Sequence, residues 1–361
     1  MIATLTMVAC AVLCGDENIP DALDIRVSEG PHPCAFLTAS ELAAVRDRIE
    51  RYAWAKAIRD GLVAGADALV ATDLDVPRAE GQWTHWYTCK KCGGGLRAES
   101  PTRHICTNCG EIYSGWPYDQ VYITQRHHHW LGGVETLGLA YAFTQNAAYA
   151  ERARAILLEY ASFYGDLQLH DVQNNAHRGA KLFAQTLDES VMLCHIALGY
   201  DMLHDAACFS EEDHRAIREG LFTPMVKVIQ ANLRGISNWQ SWHNAGVGSI
   251  GFVLGERNLV DWAINGKNGF LYQMKHSLFD SGLWHEESPS YHWYALSAHV
   301  YLIEAAARSG IDLHAIPVVK GMFDAPMRHL LPDNTFVPIH DSDRGSILSQ
   351  RNLYEAAYAL Y

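Results

Sequence analysis

The imidazole of His243, inside "NWQSWHNAGVG", and the phenol of Tyr291, inside "EESPSYHWY", are the two side chains of this sequence most suited to moving protons together. Asn238 and Asn244 flank the histidine, with Trp239 and Trp242 beside them, and Glu286, Glu287, His292 and Tyr294 surround the tyrosine. One reaction uses Tyr, His and neutral amides without a metal or a nucleophile: β-elimination at a uronic acid. The proton on the carbon next to a sugar carboxylate is weakly acidic. An Asn or His that neutralises the carboxylate stabilises the enolate-like intermediate. A Tyr or His then removes the proton, and a Tyr returns one to the departing glycosidic oxygen. A free phenol titrates near about pH 10, so its use as a base requires a neighbouring His or Arg that favours phenolate.

A second constellation is Cys89, Cys92, Cys106 and Cys109, spaced C-x2-C-x13-C-x2-C, with Gly93 and Gly110 after the two pairs. This spacing predicts a zinc ribbon, four thiolates closing one tetrahedral site. Such a site has no open position, so the zinc is expected to be structural. Two disulfides or four reduced thiols are the alternatives. The other Cys residues, at 10, 14, 34, 194 and 208, show no pairing pattern. Adjacent histidines in "RHHH", 126–129, cannot all face one ion.

These residues need a scaffold, and its pattern is helical. "TASELAAVRDRIERYAWAKAIRDGLVAGADALV" opens with a capping box from Thr38 or Ser40 and repeats apolar residues at three- and four-residue intervals. After the Cys-rich insert, 87–115, helices are expected at 129–145, 147–164, 181–204, 211–232, 243–255, 258–279, 290–309, 318–330 and 347–361. Ser210 before "EEDHRAIREG" is the expected N-cap of one of them. Period-two strand patterns are nearly absent, so the fold class is all-α apart from the insert.

Alternate helices follow His-containing loops: "ITQRHHHW", "QNNAHRGAKLF", "ISNWQSWHN", "GLWHEESPSYHWY" and "VPIHDSDRG". They recur at roughly fifty-residue intervals, the length of a helical hairpin, which is the periodicity of a repeat array. Stacked hairpins make every second helix parallel, so these loops would open on one rim. Trp239, Trp242, His177, Arg178, His292, Tyr294 and Glu286 are the candidate substrate contacts there.

Composition narrows the class. With 49% hydrophobic and 19% charged residues the chain is globular, and its net charge of −13 argues against a nucleic-acid partner. Ten Trp and seventeen Tyr supply ring faces suited to sugars as well as to cores. The start, "MIATLTMVACAVLCG", is apolar but lacks a basic n-region and is too short to span a bilayer. Residues 1–30 are read as a signal-like or disordered segment, implying a periplasmic or secreted protein, with a cytoplasmic one as alternative. No other segment could form a stable membrane span, and no organic cofactor is implied.

The stretches "HPCAFLTASELAAVRDRIERYAWAKA", "QTLDESVMLCHIALGYDML", "NWQSWHNAGVGSIGFVLGE", "WHEESPSYHWYAL" and "PIHDSDRG" together resemble the heparinase II/III-like polysaccharide lyases, a group that includes heparin, heparan and oligo-alginate lyases. The resemblance covers about residues 31–345. It implies an incomplete (α/α) toroid over 31–361 and an acidic polysaccharide as substrate. It also implies a catalytic pair at His243 and Tyr291, with Asn244 or Asn238 neutralising the uronate. Members continue into an antiparallel β-sandwich, which is expected to begin about where this sequence reaches Tyr361. Two alternatives stay open: a toroid glycoside hydrolase using carboxylates such as Glu286 and Asp188, and a truncated, non-catalytic carbohydrate-binding protein.

Overall fold

A computed structural model describes residues 19–28 and 30–361 of the chain. The signal-like stretch, with Cys10 and Cys14, lies largely outside the described residues. Helix α1 (Ala39–Arg51) begins with the expected box: the Thr38 side chain accepts from Glu41 N, and the Glu41 carboxylate caps Thr38 N in return. α2 (Ala53–Ala71) follows. The Cys-rich insert then forms the only sheet among the described residues, β1 (Leu96–Ser100), β2 (Arg103–Cys106) and β3 (Ile112–Tyr113), antiparallel in that order.

The rest is helical: α3 (Tyr118–Thr144), α4 (Ala147–Phe163), α5 (Thr186–Leu203), α6 (Glu211–Ile217), α7 (Thr223–Gln230), α8 (Asn238–Val253), α9 (Arg257–Ile264), α10 (Phe270–His276), α11 (Pro289–Arg308), α12 (Pro317–Met327) and α13 (Arg351–Leu360). Ser210 caps α6 in a capping box with Asp213. Among the described residues, no helix is long and apolar enough to cross a membrane.

Cross-contacts fix the directions of the long helices. His128 of α3 stacks on Phe183 just before α5, and further along Gly138 of α3 meets Gly199 of α5. A Cβ on Gly138 would lie 2.5 Å from the Gly199 carbonyl oxygen, so side-chain-free positions are what allow these backbones to approach. Thr186 of α5 bonds His243 of α8, while Gly246 of α8 abuts Ser190 of α5. Ser241 and Gly248 of α8 meet His299 and Leu302 of α11. In every pair both numbers rise together, so α3, α5, α8 and α11 are parallel neighbours with their N-termini at one end.

Several boundaries differ from the sequence expectation, among them that of α5, which starts at Thr186 rather than 181. α8 starts at Asn238 rather than 243, because Ser237 caps it by accepting from Gln240 N. The residues that look like a loop are therefore its first turn. α3 starts at Tyr118, which places the "RHHH" run inside a helix instead of on the rim. The run 258–279 is broken into α9 and α10 at Gly266 and Gly269, each packed against backbone carbonyls where a Cβ would clash.

Candidate active site

α8 carries its polar residues inside. Every residue of the helix is buried except Trp239. Asn238, its first residue, is hydrogen-bonded to Glu286, which sits just ahead of α11. The Asn238 backbone N donates to Glu286 Oε2 at 3.1 Å, and Nδ2 reaches Oε1 and Oε2 at 3.0 and 2.9 Å. Trp284 Nε1 donates to the same carboxylate at 2.6 Å. Glu286 is thus an acceptor holding two indole- and amide-bearing segments together.

Tyr291 lies in the first turn of α11, where Ser288 caps the helix. Its hydroxyl donates to Asp341 Oδ2 at 2.6 Å. That hydrogen bond holds the phenol in its protonated form and pushes its pKa up to about 12, with the charges of Asp341 and Glu286 adding to the effect. The loop carrying Asp341 is stitched across the helix start: Ser288 Oγ donates to Asp341 O at 3.1 Å, and the Ser290 and Ser342 hydroxyls are 2.8 Å apart. Asp341, in the loop "VPIHDSDRG", is therefore the direct partner of the candidate acid–base group. Nothing in "PIHDSDRG" distinguishes that role from a turn.

His243 is placed differently from the expectation of an open cleft. It is fully buried in the second turn of α8, with Nε2 3.0 Å from Thr186 Oγ1 and Nδ1 without a hydrogen-bond partner among the described residues. Burial, reinforced by the positive charge of Arg234, lowers its pKa to about 3, so the ring is neutral. His243 and Tyr291 are each engaged with a different partner, Thr186 and Asp341.

Asn244 is held at both ends of its amide. Oδ1 accepts from Gln240 Nε2 at 2.9 Å and Nδ2 donates to Asn268 O at 2.9 Å, so this amide is taken up by the protein itself, whereas the buried Asn238 amide faces Glu286. His292 is corrected from substrate contact to packing. Its Nδ1 accepts from Trp284 N at 3.1 Å, its Nε2 donates to Met322 O at 2.9 Å, and burial lowers its pKa to about 4.

The remaining candidates spread along the rim and wall. Tyr294, one turn beyond Tyr291, packs with its ring centroid 5.1 Å from that of Trp242, whose Nε1 is buried without a partner among the described residues. Asp188, in the first turn of α5, forms no ion pair among the described residues; burial and the adjacent Glu189 raise its pKa to about 7, and its charge raises that of Tyr294. His177 and Arg178 are exposed on the 170–180 loop, His177 with φ +67°, and Arg178 helps lower the pKa of Asp171. A cavity of about 310 Å³ beside this wall is lined by Ser290, Tyr294, Ser297, Ser342 and Asp343, among others.

The four cysteines of the insert converge. Cys89 and Cys109 sulfurs are 3.6 Å apart, Cys92 and Cys106 sulfurs 3.5 Å, and all four lie within 4.8 Å of one another. A tetrahedron with metal–sulfur bonds of about 2.3 Å has edges of about 3.8 Å, so the donor set fits a metal ion. Gly93 N donates to Cys89 O and Gly110 N to Cys106 O, both glycines at positive φ of +70° and +73°. These are tight turns that a side chain would strain. The insert is tied to the rest of the chain by His104, which links Tyr87 to Asp119 at the start of α3, and by Trp86 Nε1 donating to Val172 O.

The mostly helical fold is shared with polysaccharide lyases of known structure. The chain is similar to an apo form of a variant of alginate lyase A1-III (TM-score 0.52, 15% identity, 80% of this chain and 76% of that one). It is also similar to the heparan sulfate lyase of Pedobacter heparinus (TM-score 0.50, 16% identity, 90% of this chain and 52% of that one). Residues 117–321 match the sequence model of the family described as Alginate lyase, and the chain belongs to that family. Among curated relatives it is 32% identical over 201 residues to an alginate lyase of Stenotrophomonas maltophilia, covering 50% of this chain and 26% of the relative. It is 31% identical over 193 residues to an exo-oligoalginate lyase of Saccharophagus degradans, covering 51% and 26%. The chain therefore spans about a quarter of the length of these relatives.

Proposed function

We propose that this protein is a polysaccharide lyase that cleaves a uronate-containing polysaccharide, with alginate or its oligosaccharides as the first candidate, by β-elimination. The observation that carries the reading is the pairing of Asn238 and Tyr291 on the first turns of two adjacent parallel helices, with Glu286 hydrogen-bonded to one and acting electrostatically on the other. Family membership and the two curated alginate lyases support the substrate class. In this reading residues 31–361 form an incomplete (α/α) toroid, with α3, α5, α8 and α11 as its inner layer and the 87–115 insert as a zinc ribbon.

Asn238 is assigned the neutralising role. The two Glu286 oxygens subtend a far smaller angle at Nδ2 than the about 120° between its two N–H bonds, so one N–H stays available to a sugar carboxylate. Tyr291 is assigned proton transfer. The proton beside the uronate carboxylate passes to the phenolic oxygen as the phenolic proton moves onto Asp341. The carbon–oxygen bond to the leaving sugar breaks, and a proton returns through Tyr291 to the departing oxygen. One proton leaves carbon and one reaches oxygen, so the pair ends as it began. His243, neutral and inside the wall, is assigned a positioning role through Thr186. Zinc held by the four thiolates would brace the insert and take no part in the elimination.

A hydrolase using Glu286 as acid is disfavoured by the three donors that already occupy its carboxylate. The test is incubation with alginate, heparan sulfate and hyaluronan while following ultraviolet absorbance. Unsaturated uronate from at least one polymer, lost in Tyr291→Phe, supports the proposal; saturated reducing ends without absorbance would replace it with hydrolysis.

A further inference from the structure

The site described so far is negative. The Glu286 carboxylate is bonded to Asn238 and the Asp341 carboxylate to Tyr291, and neither Asn238 nor Tyr291 carries a positive charge. One cation stands beside them that the sequence pattern does not single out. Arg234, four residues before Asn238, places its guanidinium carbon 4.5 Å from the centroid of the Trp239 ring, the one accessible side chain of α8.

The backbone beneath this arginine is fixed from two sides. Arg234 N donates to Oε1 of the buried Gln240 at 2.8 Å, and Ser237 Oγ donates to Arg234 O at 3.2 Å. Gly235 follows at φ +64°, with its carbonyl accepting from the buried Gln273 Nε2 at 2.8 Å. A side chain at that φ would be strained, so the turn keeps Arg234 aimed back over α8.

The guanidinium itself is unused by the protein. Among the described residues it forms no ion pair and none of its side-chain N–H groups is hydrogen-bonded, whereas Arg78, Arg154, Arg218 and Arg344 each pair with a carboxylate. Partial burial lowers its pKa from the ordinary arginine value, and its charge reaches His243. A guanidinium held over an indole face keeps N–H groups free for a ligand, and its fork can grip a carboxylate by two parallel hydrogen bonds.

We propose that Arg234, set over the Trp239 ring, is a binding subsite for the carboxylate of an acidic sugar, placed beside Asn238 so that the bound chain is held against the carboxylates of Glu286 and Asp341. This rests on the lyase reading for the identity of the sugar, but not for the binding itself. The carboxylate bound here belongs to a uronate next to the one undergoing elimination, since Asn238 is assigned the latter.

The experiment is direct binding of a mannuronate tetrasaccharide and its carboxyl-reduced, neutral counterpart to the 361-residue chain, by calorimetry. Wild type is compared with Arg234→Gln and Arg234→Lys. Loss of a charge-assisted pair predicts about ten- to a hundredfold weaker binding of the acidic sugar by Arg234→Gln. The neutral sugar binds both proteins alike, and Arg234→Lys recovers only part, because an ammonium is a point charge without a fork. Equal affinity of wild type and Arg234→Gln for the acidic sugar overturns the subsite, as does an equal loss for both sugars. Turnover of alginate is measured separately. Arg234-dependent binding with no unsaturated product would sink the lyase reading and keep the subsite; normal turnover with Arg234→Gln binding unchanged would do the reverse.

Discussion

The Tyr291 hydroxyl donates a 2.6 Å hydrogen bond to Asp341, and the two residues come from segments fifty positions apart. The carboxylate favours the protonated phenol, so in the resting protein Tyr291 is a proton donor with an acceptor behind it. Removing the hydroxyl in Tyr291→Phe is expected to lower kcat by about 10²- to 10⁴-fold, the usual range for a positioned acid–base group. Asp341→Asn takes away the main cause of the raised pKa. Spectrophotometric titration should then show one tyrosine ionising at lower pH than in wild type; an unchanged titration would mean that Asp341 does not control the phenol.

Asn238→Ala removes the amide assigned to the uronate. Loss of one such donor is expected to cost about 10²- to 10³-fold in kcat. It also strips Glu286 of its Asn238 side-chain partner, at about 1–3 kcal/mol of stability. The two effects separate if Glu286→Gln, which keeps a hydrogen-bonding group in place, loses less activity than Asn238→Ala. Matching losses would make the pair purely structural.

His243→Ala is expected to act mainly on stability. Cutting a buried ring down to a methyl leaves a cavity and costs about 2–5 kcal/mol by analogy with other large-to-small core changes. The folded fraction should keep more activity than Tyr291→Phe does. A stable His243→Ala protein as inactive as Tyr291→Phe would return the imidazole to the chemistry itself.

Four buried imidazoles, His127, His243, His292 and His299, have pKa values lowered by burial to between about 3 and about 4 from the ordinary 6.5. Each binds a proton in the unfolded chain before it does in the folded one. Their neutral burial is therefore tolerated above about pH 6.5, and stability falls as pH drops below that value. The slope is roughly 1.4 kcal/mol per pH unit for each group. Urea midpoints should decline steeply from neutral pH towards about pH 5, and a flat profile over that range would contradict the burial of these rings.

Metal analysis is expected to find one zinc per chain, lost in Cys106→Ser. Its removal should loosen the insert and the neighbouring 170–180 loop, lowering thermal stability. The elimination rate per folded molecule should persist, because four thiolates leave no open coordination position.

Much of this architecture is legible in the residues. The capping boxes at Thr38 and Ser210, the helical periodicity and the paired Cys-x-x-C turns each have a local cause, and local causes survive folding. Parallel alternate helices were likewise implied by the recurring loops. The sequence is less informative where a residue's role depends on who faces it. "SNWQSWHN" does not reveal that its amides divide between Glu286 and the core, or that the histidine points inward. Asp341 and Arg234 acquire meaning only from Tyr291 and Trp239, partners set by tertiary packing. The only local hint for Arg234 is its position before a glycine and a helix-capping serine.

The most direct test is the rate of unsaturated-uronate formation from alginate by wild type, Tyr291→Phe and Asn238→Ala, each with its folded fraction measured by thermal denaturation. Wild type should generate the ultraviolet-absorbing product, and both variants should lose at least about a hundredfold in kcat while remaining folded. Full-rate product formation by folded Tyr291→Phe would contradict the account.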